Sequence, residues 1–519
     1  MPAPPTGRPD ILLIMADQLA PSALPFHGNP VTRAPALSRL AESGVVFDAA
    51  YTPSPLCSPA RASLLTGMLP SRTGVYDNAA EFGASLPTFA HCLRGAGYRT
   101  VLAGKMHFCG PDQLHGFEER LTTDIYPADF GWTPDWERPD ERPTWYHDMS
   151  SVLEAGPCVR SNQLDFDEEV SFAAERSLYG HIRSGDERPF CYVVSYTHPH
   201  DPFTIPRQWW DRYEGARIPL PVDGRGGDHP HERRLRAVCA LEGIRLTGDQ
   251  IRAARRAYYG AISFVDDQVA RLLAVLRETG RLGRTVVIVT SDHGEMLGER
   301  GSWYKMSFYE GAARVPLIVC APERFRPARV GAAVSTMDLL PTLAGIAGAG
   351  GPPGVLAGAA ASTARALDGR SLLPHLTGRP GRDEAVGEYL AEGAIAPIVM
   401  IRRGRHKFIR SPADPDQLFD LEADPGELVN LAEDPACADL AGAFREEVAA
   451  RWDLAALDRD VRLSQQRRLA VTAALRTGIR TSWDYAPGYD AAGRYIRSHR
   501  DLGDLEREAR FPPPGQPEP

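Results

Sequence analysis

The sequence has no long hydrophobic segment. Its 519 residues are 43% hydrophobic, yet no stretch reaches the roughly eighteen consecutive apolar residues that a transmembrane helix needs. The apolar run at residues 11–16 is too short for the core of a signal peptide. We therefore expect a globular protein of the cytoplasm with no membrane partner.

The cysteine pattern and the charge exclude two further classes. The eight cysteines lie far apart and include no Cys-x-x-Cys pair, so we expect no disulfide framework in this compartment. The formal net charge is −9, whereas a nucleic-acid-binding protein needs a basic surface. We therefore expect no nucleic-acid partner.

The first part of the chain alternates between two patterns. Short apolar runs predict buried strands at residues 11–16, 45–50, 99–104, 189–196, 284–290 and 316–320. Helical patterns lie at residues 34–44, 62–69, 88–97 and 249–280. Buried strands separated by helices indicate a mostly parallel sheet with helices on both faces, which is an α/β/α sandwich.

The second part of the chain predicts smaller units. Residues 344–366 are rich in Gly, Ala and Pro and predict a flexible surface loop. Short strand patterns at 388–390, 398–402 and 407–409, with a helix from about 440, predict a small α+β subdomain with antiparallel strands. The polar tail has more aromatic residues than a solvated segment needs, namely Trp483, Tyr485, Tyr489, Tyr495 and Phe511. We predict a catalytic domain at residues 1–385, the subdomain at 386–460 and an oligomer-forming tail at 461–519.

Polar side chains follow the predicted strands at their carboxyl ends, where open α/β sheets bind ligands. These residues are Asp17, Lys105, His198, His200, Asp292 and His293. Two carboxylates and an imidazole suit Ca²⁺, Mg²⁺ or Mn²⁺. Asp292-His293-Gly294 taken alone is equally typical of a helix cap beside a solvated histidine. The position of Asp17 after another buried strand favours the metal.

The run Cys57-Ser58-Pro59-Ala60-Arg61, followed by Leu65-Thr66-Gly67, is an unusual setting for a thiol. A buried structural cysteine near a turn is the alternative. The run resembles the signature of type I sulfatases, which belong to the alkaline phosphatase superfamily. In that family the cysteine is oxidised to formylglycine, an aldehyde whose hydrate is the nucleophile. The resemblance implies an alkaline-phosphatase-like fold, and a formylglycine-generating enzyme as a transient partner.

The resemblance also implies the metal site. It assigns one divalent cation, with Ca²⁺ first and Mg²⁺ or Mn²⁺ as alternatives, to Asp17, Gln18, the modified Cys57, Asp292 and His293. Gln18 stands where the family more often has a second aspartate. This replacement leaves one negative charge fewer and leaves the identity of the cation open.

The same resemblance implies the roles of the catalytic residues, which are Cys57, Arg61, Lys105, His107, His200 and Lys305. Arg61 steadies the hydrated aldehyde, and Lys105 is a fixed cation. His200 or Lys305 protonates the leaving alcohol. His107 then takes a proton so that the aldehyde returns and sulfate leaves.

Aromatic residues crowd into one predicted loop. Trp132, Trp136, Trp145, Tyr146 and His147 lie within sixteen residues. A quaternary ammonium group cannot donate a hydrogen bond and is recognised by aromatic faces and carboxylates. For each residue singly, ordinary loop packing is about as good an explanation.

Residues 104–117 and 123–132 are similar to choline sulfatases, a branch of the family, and the resemblance covers nearly the whole chain. It implies a sulfate ester with a quaternary ammonium group, choline-O-sulfate. Trp132 and His147 would contact the ammonium head, with Glu388 or, less favoured, Glu392. Asp501 or Asp504 would reach the site from a second subunit of a homodimer or homotetramer. Alternatives are a phosphonate or phosphate monoester or diester hydrolase, an arylsulfatase, and a non-catalytic choline-binding scaffold.

Overall fold

The computed structural model describes residues 7–222, 227–348, 367–488, 490, 495–496 and 498–512. Most of the Gly/Ala-rich segment predicted as a loop, residues 349–366, lies outside the described residues. Tyr489 also lies outside them. No helix among the described residues has the length and apolar content to cross a membrane.

The strands are β1 Asp10–Ala16, β2 Val45–Tyr51, β3 Arg99–Gly104, β4 Glu119–Arg120, β5 Gly156–Cys158, β6 Phe190–Tyr196, β7 Thr204–Pro206, β8 Thr285–Thr290, β9 Arg314–Cys320, β10 Ala328–Ser335, β11 Glu384–Tyr389, β12 Ile398–Arg403, β13 His406–Ser411 and β14 Asp414–Asp420.

The helices are α1 Pro35–Ser43, α2 Cys57–Thr66, α3 Pro70–Thr73, α4 Phe89–Gly95, α5 Ser150–Leu153, α6 Asn162–Arg183, α7 Arg207–Trp210, α8 Pro230–Val238, α9 Gly248–Glu278, α10 Glu310–Ala313, α11 Leu339–Ile346, α12 Leu373–Leu376, α13 Ala438–Arg451, α14 Leu454–Leu475 and α15 Leu502–Ala509.

A large sheet forms the centre of the molecule. Within the described ranges it has eight strands in the order β10-β2-β9-β8-β1-β6-β3-β4. All neighbours pair in parallel except β9, which is antiparallel to both β2 and β8. This arrangement confirms the predicted mostly parallel sheet. The order also makes β8, β1, β6 and β3 neighbours, so residues that follow these strands meet at one edge.

Both faces of the sheet are buried, as continuous apolar strands require. In β1, Leu12 and Ile14 pack on one side in a core that includes residues of α6 and α9. Ile11, Leu13 and Met15 pack on the other side with residues of α2, α4 and α11. Alternate side chains of a strand point to opposite faces, which explains why a run without polar positions lies at the centre.

A smaller sheet follows in the chain. Strands β11, β12, β13 and β14 form an antiparallel meander. Helix α13 packs on it through Phe444, whose ring stacks on that of Phe408 at 5.4 Å. This finding confirms the predicted small antiparallel unit.

Helix α14 carries the chain back onto the large domain. The predicted boundary between residues 460 and 461 falls inside this helix. Gln465 accepts a hydrogen bond from the backbone N–H of Trp136 at 3.0 Å. Buried Arg468 donates to both carboxylate oxygens of Asp77, at 2.7 and 2.6 Å. The first part of the predicted tail therefore packs on the chain's own body.

Candidate active site

The candidate nucleophile Cys57 is the first residue of α2, five residues earlier than the helix predicted from the sequence. Leu56 is extended, so the chain turns into the helix at the cysteine. A helix N-terminus carries partial positive charge and favours an anion. Cys57 Sγ lies 3.2 Å from His293 Nε2 and 3.4 Å from Lys105 Nζ. Burial and the nearby Asp17 carboxylate raise the pKa of the thiol to about 12.

Four buried side chains provide a candidate metal centre. Asp17 follows β1, and Asp292 and His293 follow the neighbouring strand β8. One ligand atom each from Asp17, Cys57, Asp292 and His293 lies within 4.8 Å of all the others. Two carboxylates and an imidazole are a suitable donor set for a hard divalent cation. The residues present therefore fit a single divalent ion.

Gln18, a predicted metal ligand, makes other contacts. Its backbone is left-handed (φ 62°), and its backbone N–H donates to Asp292 Oδ1 at 3.1 Å. Its side-chain oxygen accepts a hydrogen bond from Lys305 Nζ at 2.7 Å, and its amide donates to Glu295. Gln18 thus connects the candidate metal centre to Lys305.

Two cations hold the carboxylates of the centre. Arg61 lies one helical turn after Cys57, and its Nε donates to Asp292 Oδ2 at 2.8 Å. Lys105 Nζ contacts the carboxylate of Asp17 directly. Burial alone raises the pKa of Asp17, but Lys105 and Arg61 outweigh it and lower that pKa below its usual range. Both carboxylates are therefore charged and held in place.

His200 and Lys305 form a buried pair on the other side of the centre. The Nδ1 of His200 lies 2.7 Å from the backbone oxygen of Asp201, so this nitrogen donates. Nε2 then accepts from Lys305 Nζ, also at 2.7 Å. Burial and the Lys305 charge lower the pKa of His200 well below its usual value. The imidazole of the pair is therefore neutral, and it accepts a hydrogen bond from the amine of Lys305.

His107 is close to the site but not among the residues that line its cavity. Its backbone is left-handed (φ 55°), and its ring lies 5.1 Å from that of Tyr126 and 5.7 Å from that of Trp132. Within the described part of the chain, neither ring nitrogen has a hydrogen-bond partner. Burial and the charge of Lys105 lower the pKa of His107 to about 3.

A cavity of about 260 Å³ leads to Cys57. Its walls combine aromatic rings with a few polar groups, and its lining residues are Cys57, Asn78, Tyr126, Trp132, Trp145, Tyr146, His147, Asp148, Ser150, Ser151, His200, Asp201, Lys305 and Glu392. Trp132 and His147, predicted to bind substrate, are both present. Lys305, His200 and Cys57 line the same space, so the candidate nucleophile and the residues predicted to protonate the leaving alcohol share it.

Neither acidic residue predicted to bind substrate lines the cavity of its own chain, and Asp501 is expected to reach it from a second subunit. The Glu388 carboxylate accepts hydrogen bonds from the backbone and hydroxyl of Ser71 and from Trp452 Nε1, each at 2.7 Å. Asp501 caps helix α15 by accepting from the backbone of Asp504 at 3.0 Å. Glu392 lines the cavity instead of Glu388. The strand β11 ends at residue 389, and only the turn after it reaches the cavity.

Sequence reasoning missed several cavity residues, among them Asn78 and Asp201. Asn78 Oδ1 accepts a hydrogen bond from the backbone N–H of Ser58 at 3.0 Å and so caps the first turn of α2. Asp201 lies 3.3 Å from His147 Nδ1 and accepts from Ser151 Oγ at 3.1 Å. Asp201 comes immediately after His200 in the segment that follows β6. Its position beyond the end of a strand could have identified it as a candidate site residue. Asn78 has no such signal, because its role depends on tertiary packing.

Comparison with known proteins decides the family. The sulfatase profile matches residues 9–349, and a curated choline-sulfatase of Rhizobium meliloti (strain 1021) is 47% identical over 98% of this chain and 99% of its own length. This chain belongs to the sulfatase family. The sulfatase is thus an enzyme that hydrolyses sulfate esters. Its C-terminal region matches the profile "Choline sulfatase enzyme C terminal" at residues 459–511. The profile "N-sulphoglucosamine sulphohydrolase, C-terminal" matches residues 298–452.

More distant relatives widen the picture. An arylsulfatase of Clostridium perfringens is 28% identical over 82% of the sulfatase and 90% of its own length. Among solved structures, a phosphonate monoester hydrolase of Agrobacterium radiobacter superposes with a TM-score of 0.68 at 25% identity, and covers 87% of this chain and 96% of its own. These likenesses confirm the alkaline-phosphatase-like fold.

Proposed function

We propose that this sulfatase hydrolyses choline-O-sulfate to choline and sulfate, with a formylglycine made from Cys57 and one divalent cation. The observation that supports this substrate is the position of Glu392 in the cavity. Its carboxylate is 4% exposed and lines the cavity, and within the described ranges its Oε2 has no hydrogen-bond partner. The relative that is 47% identical is named a choline-sulfatase, which supports the same substrate.

The nucleophile end is built for an anionic ester. A hydrated formylglycine at position 57, next to a cation held by Asp17, Asp292 and His293, would supply an activated hydroxyl and a route for product release. Oxygen-rich ligands favour Ca²⁺, and Mg²⁺ or Mn²⁺ are alternatives. We assign Gln18 to the ordering of this site through its contacts with Asp292 and Lys305.

The fixed cations bind and polarise the sulfate group. Arg61 and Lys105 are buried and already paired with Asp292 and Asp17, so their charge needs no reorganisation during the reaction. A preorganised positive field in a dry site stabilises negative charge that builds up in the transition state. These residues therefore orient the ester and favour attack at sulfur.

Proton transfer at the leaving oxygen falls to Lys305 and His200. Lys305 Nζ donates a hydrogen bond to His200 Nε2 at 2.7 Å. Both line the cavity with Cys57, so either group has access to the departing alcohol. His107 is the proposed proton acceptor for sulfate release, because neither of its ring nitrogens has a hydrogen-bond partner within the described residues.

The aromatic end of the cavity suits a quaternary ammonium group. Trp132, Trp145 and Tyr126 offer ring faces, which attract a desolvated cation by about 2 kcal/mol or more. Burial raises the pKa of Glu392 to about 7, because the charge of Lys305 offsets only part of the loss of water. A bound trimethylammonium group would supply the remaining positive charge. His147 contributes to the same wall.

The assembly remains part of the proposal. We propose that the sulfatase forms a homodimer or homotetramer through its C-terminal tail, with Asp501 of a second subunit near the substrate. Asp501 is exposed at the start of α15. We also propose the division into domains after residues 385 and 460. A formylglycine-generating enzyme would act on Cys57 before the chain closes around it, since the residue is 1% exposed in the fold.

One experiment tests the proposal. The enzyme is expressed with a formylglycine-generating enzyme, the peptide that contains Cys57 is examined by mass spectrometry, and kcat/KM is measured for choline-O-sulfate, 4-nitrophenyl sulfate and phenyl phenylphosphonate. We expect an aldehyde at position 57 and the highest kcat/KM for choline-O-sulfate. An intact thiol in fully active enzyme would overturn the proposed nucleophile. A preference for an ester without a quaternary ammonium group would overturn the proposed substrate.

A second candidate is a phosphonate or phosphate ester hydrolase or an arylsulfatase. It is favoured by the TM-score of 0.68 to a phosphonate monoester hydrolase and by the 28% identity to an arylsulfatase. The metal centre and anion-binding residues suit either ester. The buried Glu392 in the cavity favours an ester with a cationic head group over phosphonate, phosphate and aryl sulfate esters.

A further inference from the structure

The C-terminal segment packs against a loop on its own chain. We call residues 480–485 the C-terminal strap and residues 120–132 the aromatic loop. Asp484 Oδ1 accepts a hydrogen bond from the backbone N–H of Ala128 at 2.9 Å. The ring of Trp483 meets that of Phe130 edge-on at 5.0 Å. Arg480 donates to Asp129 at 2.8 Å. The strap thus fastens three consecutive residues of the loop.

The aromatic loop supplies two walls of the cavity. Tyr126 and Trp132 lie on either side of the residues that the strap holds, and both line the space above Cys57. Their rings contact each other at 5.1 Å. The ring of Tyr126 also lies under Lys105 Nζ at 4.1 Å. A shift of this loop would therefore move the surfaces against which a leaving group packs.

A second path runs from the strap toward the catalytic residues. The ring of Tyr485 lies 5.4 Å from the guanidinium of Arg120. Arg120 donates to Asp124 Oδ2 at 2.7 Å. That same oxygen accepts from the backbone N–H groups of Met106 and His107, both at 2.9 Å. Asp124 therefore joins the aromatic loop to the turn that places His107.

We propose that the C-terminal strap is a positioning element for the leaving-group wall of the cavity, and that Asp484 is its principal residue. The strap touches neither substrate nor nucleophile, so it acts through Ala128 and the rings on either side of it. The carbonyls of residues 128 and 130 have partners outside the strap, because Ala128 O accepts from Gly110 N–H at 2.8 Å and Phe130 O accepts from Thr133 Oγ1 at 2.8 Å. The strap adds the contacts of the Ala128 N–H and of the Asp129 and Phe130 side chains. The strap sets how tightly the rings close on the leaving group. The effect on choline-O-sulfate rests on the proposed function, whereas the ordering of the loop does not.

The test compares Asp484→Ala with two matched variants in the full-length enzyme. Asp484→Asn keeps an oxygen that can accept from Ala128. Arg476→Ala changes an exposed side chain just before the strap. We measure hydrogen–deuterium exchange of the peptide that covers residues 124–132, together with KM and kcat. In Asp484→Ala we expect faster exchange of that peptide and a KM for choline-O-sulfate raised about fivefold, with kcat within twofold of wild type. Asp484→Asn and Arg476→Ala should match wild type.

The outcomes separate the two proposals. Unchanged exchange in Asp484→Ala would overturn the strap, and so would faster exchange with an unchanged KM. If wild-type enzyme fails to hydrolyse choline-O-sulfate, the proposed function falls. The strap is then judged by exchange and by KM for whichever sulfate ester the enzyme prefers. Equal unfolding temperatures among the variants show that a raised KM reports loop position rather than lost folding.

Discussion

Replacing Glu392 with glutamine probes the substrate most directly. The change removes one negative charge from a buried position and leaves the shape of the side chain almost intact. The expected loss follows from Coulomb's law. Two unit charges about 5 Å apart attract by roughly 3 kcal/mol at an effective dielectric constant of 20. The cost of stripping water from both partners reduces this gain, and we take ~2 kcal/mol as the net value, about a thirtyfold change in affinity.

The assay compares choline-O-sulfate with 3,3-dimethylbutyl sulfate, which has the same shape and the same sulfate group but a neutral head group. Wild-type enzyme should favour choline-O-sulfate, and Glu392→Gln should reduce this preference about thirtyfold, mainly through KM. The effect on 3,3-dimethylbutyl sulfate should be small, because a neutral head group gains nothing from the carboxylate.

Glu388→Gln is the matched control. Glu388 is also fully buried, lies four residues earlier and has a raised pKa, but its carboxylate is occupied by Ser71 and Trp452. We expect this variant to unfold at a lower temperature than wild type and to keep the preference for choline-O-sulfate over 3,3-dimethylbutyl sulfate. An unchanged preference in Glu392→Gln would refute the reasoning. An equal loss in Glu388→Gln would return the role to that residue.

The remaining predictions concern stability, the nucleophile and the cation. The pKa of Glu392 is raised in the fold to about 7 from an ordinary 4.5, so its stabilising contribution is complete below pH 4.5 and is lost as the pH rises through 7. Glu392→Gln should therefore unfold at a higher temperature than wild type at pH 8, and near the wild-type temperature at pH 4.5, in thermal scans at the two pH values. Cys57→Ser should lose at least about a thousandfold in kcat or trap a sulfated enzyme visible by intact mass, because a serine cannot release sulfate by restoring an aldehyde; full turnover would contradict the mechanism. Removal of divalent ions with EDTA should lower the unfolding temperature, and Ca²⁺ at a hundred times its Kd should restore about 2.7 kcal/mol. A denaturation curve that changes neither with the chelator nor with added Ca²⁺ would refute the metal centre.

The sequence anticipated the elements of the core better than their ends. Residues 11–16 and 101–104 are apolar without interruption, and such runs form buried strands whatever lies around them. Helix α2 begins five residues before its predicted start and includes Pro59 in its first turn. Proline in the first turn of a helix costs little, since the N–H that it lacks has no partner there.

The C-terminal half was harder to anticipate. The predicted boundary at residue 460 divides helix α14, of which only Leu457, Val461, Gln465 and Arg468 are buried. Its position depends on partners far away in the chain, such as Asp77. Local propensity carries no information about such partners.

By itself the sequence determined the sheet, the family motif at Cys57 and the set of charged residues that follow the strands. These depend on apolar runs and on short spacings, both of which are local. Only the tertiary structure decided that Glu392 rather than Glu388 reaches the cavity, that Gln18 meets Lys305, and that the C-terminal strap lies against the aromatic loop. These depend on which surfaces come together after hundreds of residues, and a one-residue change in where a turn begins redirects a side chain from solvent or core into the site.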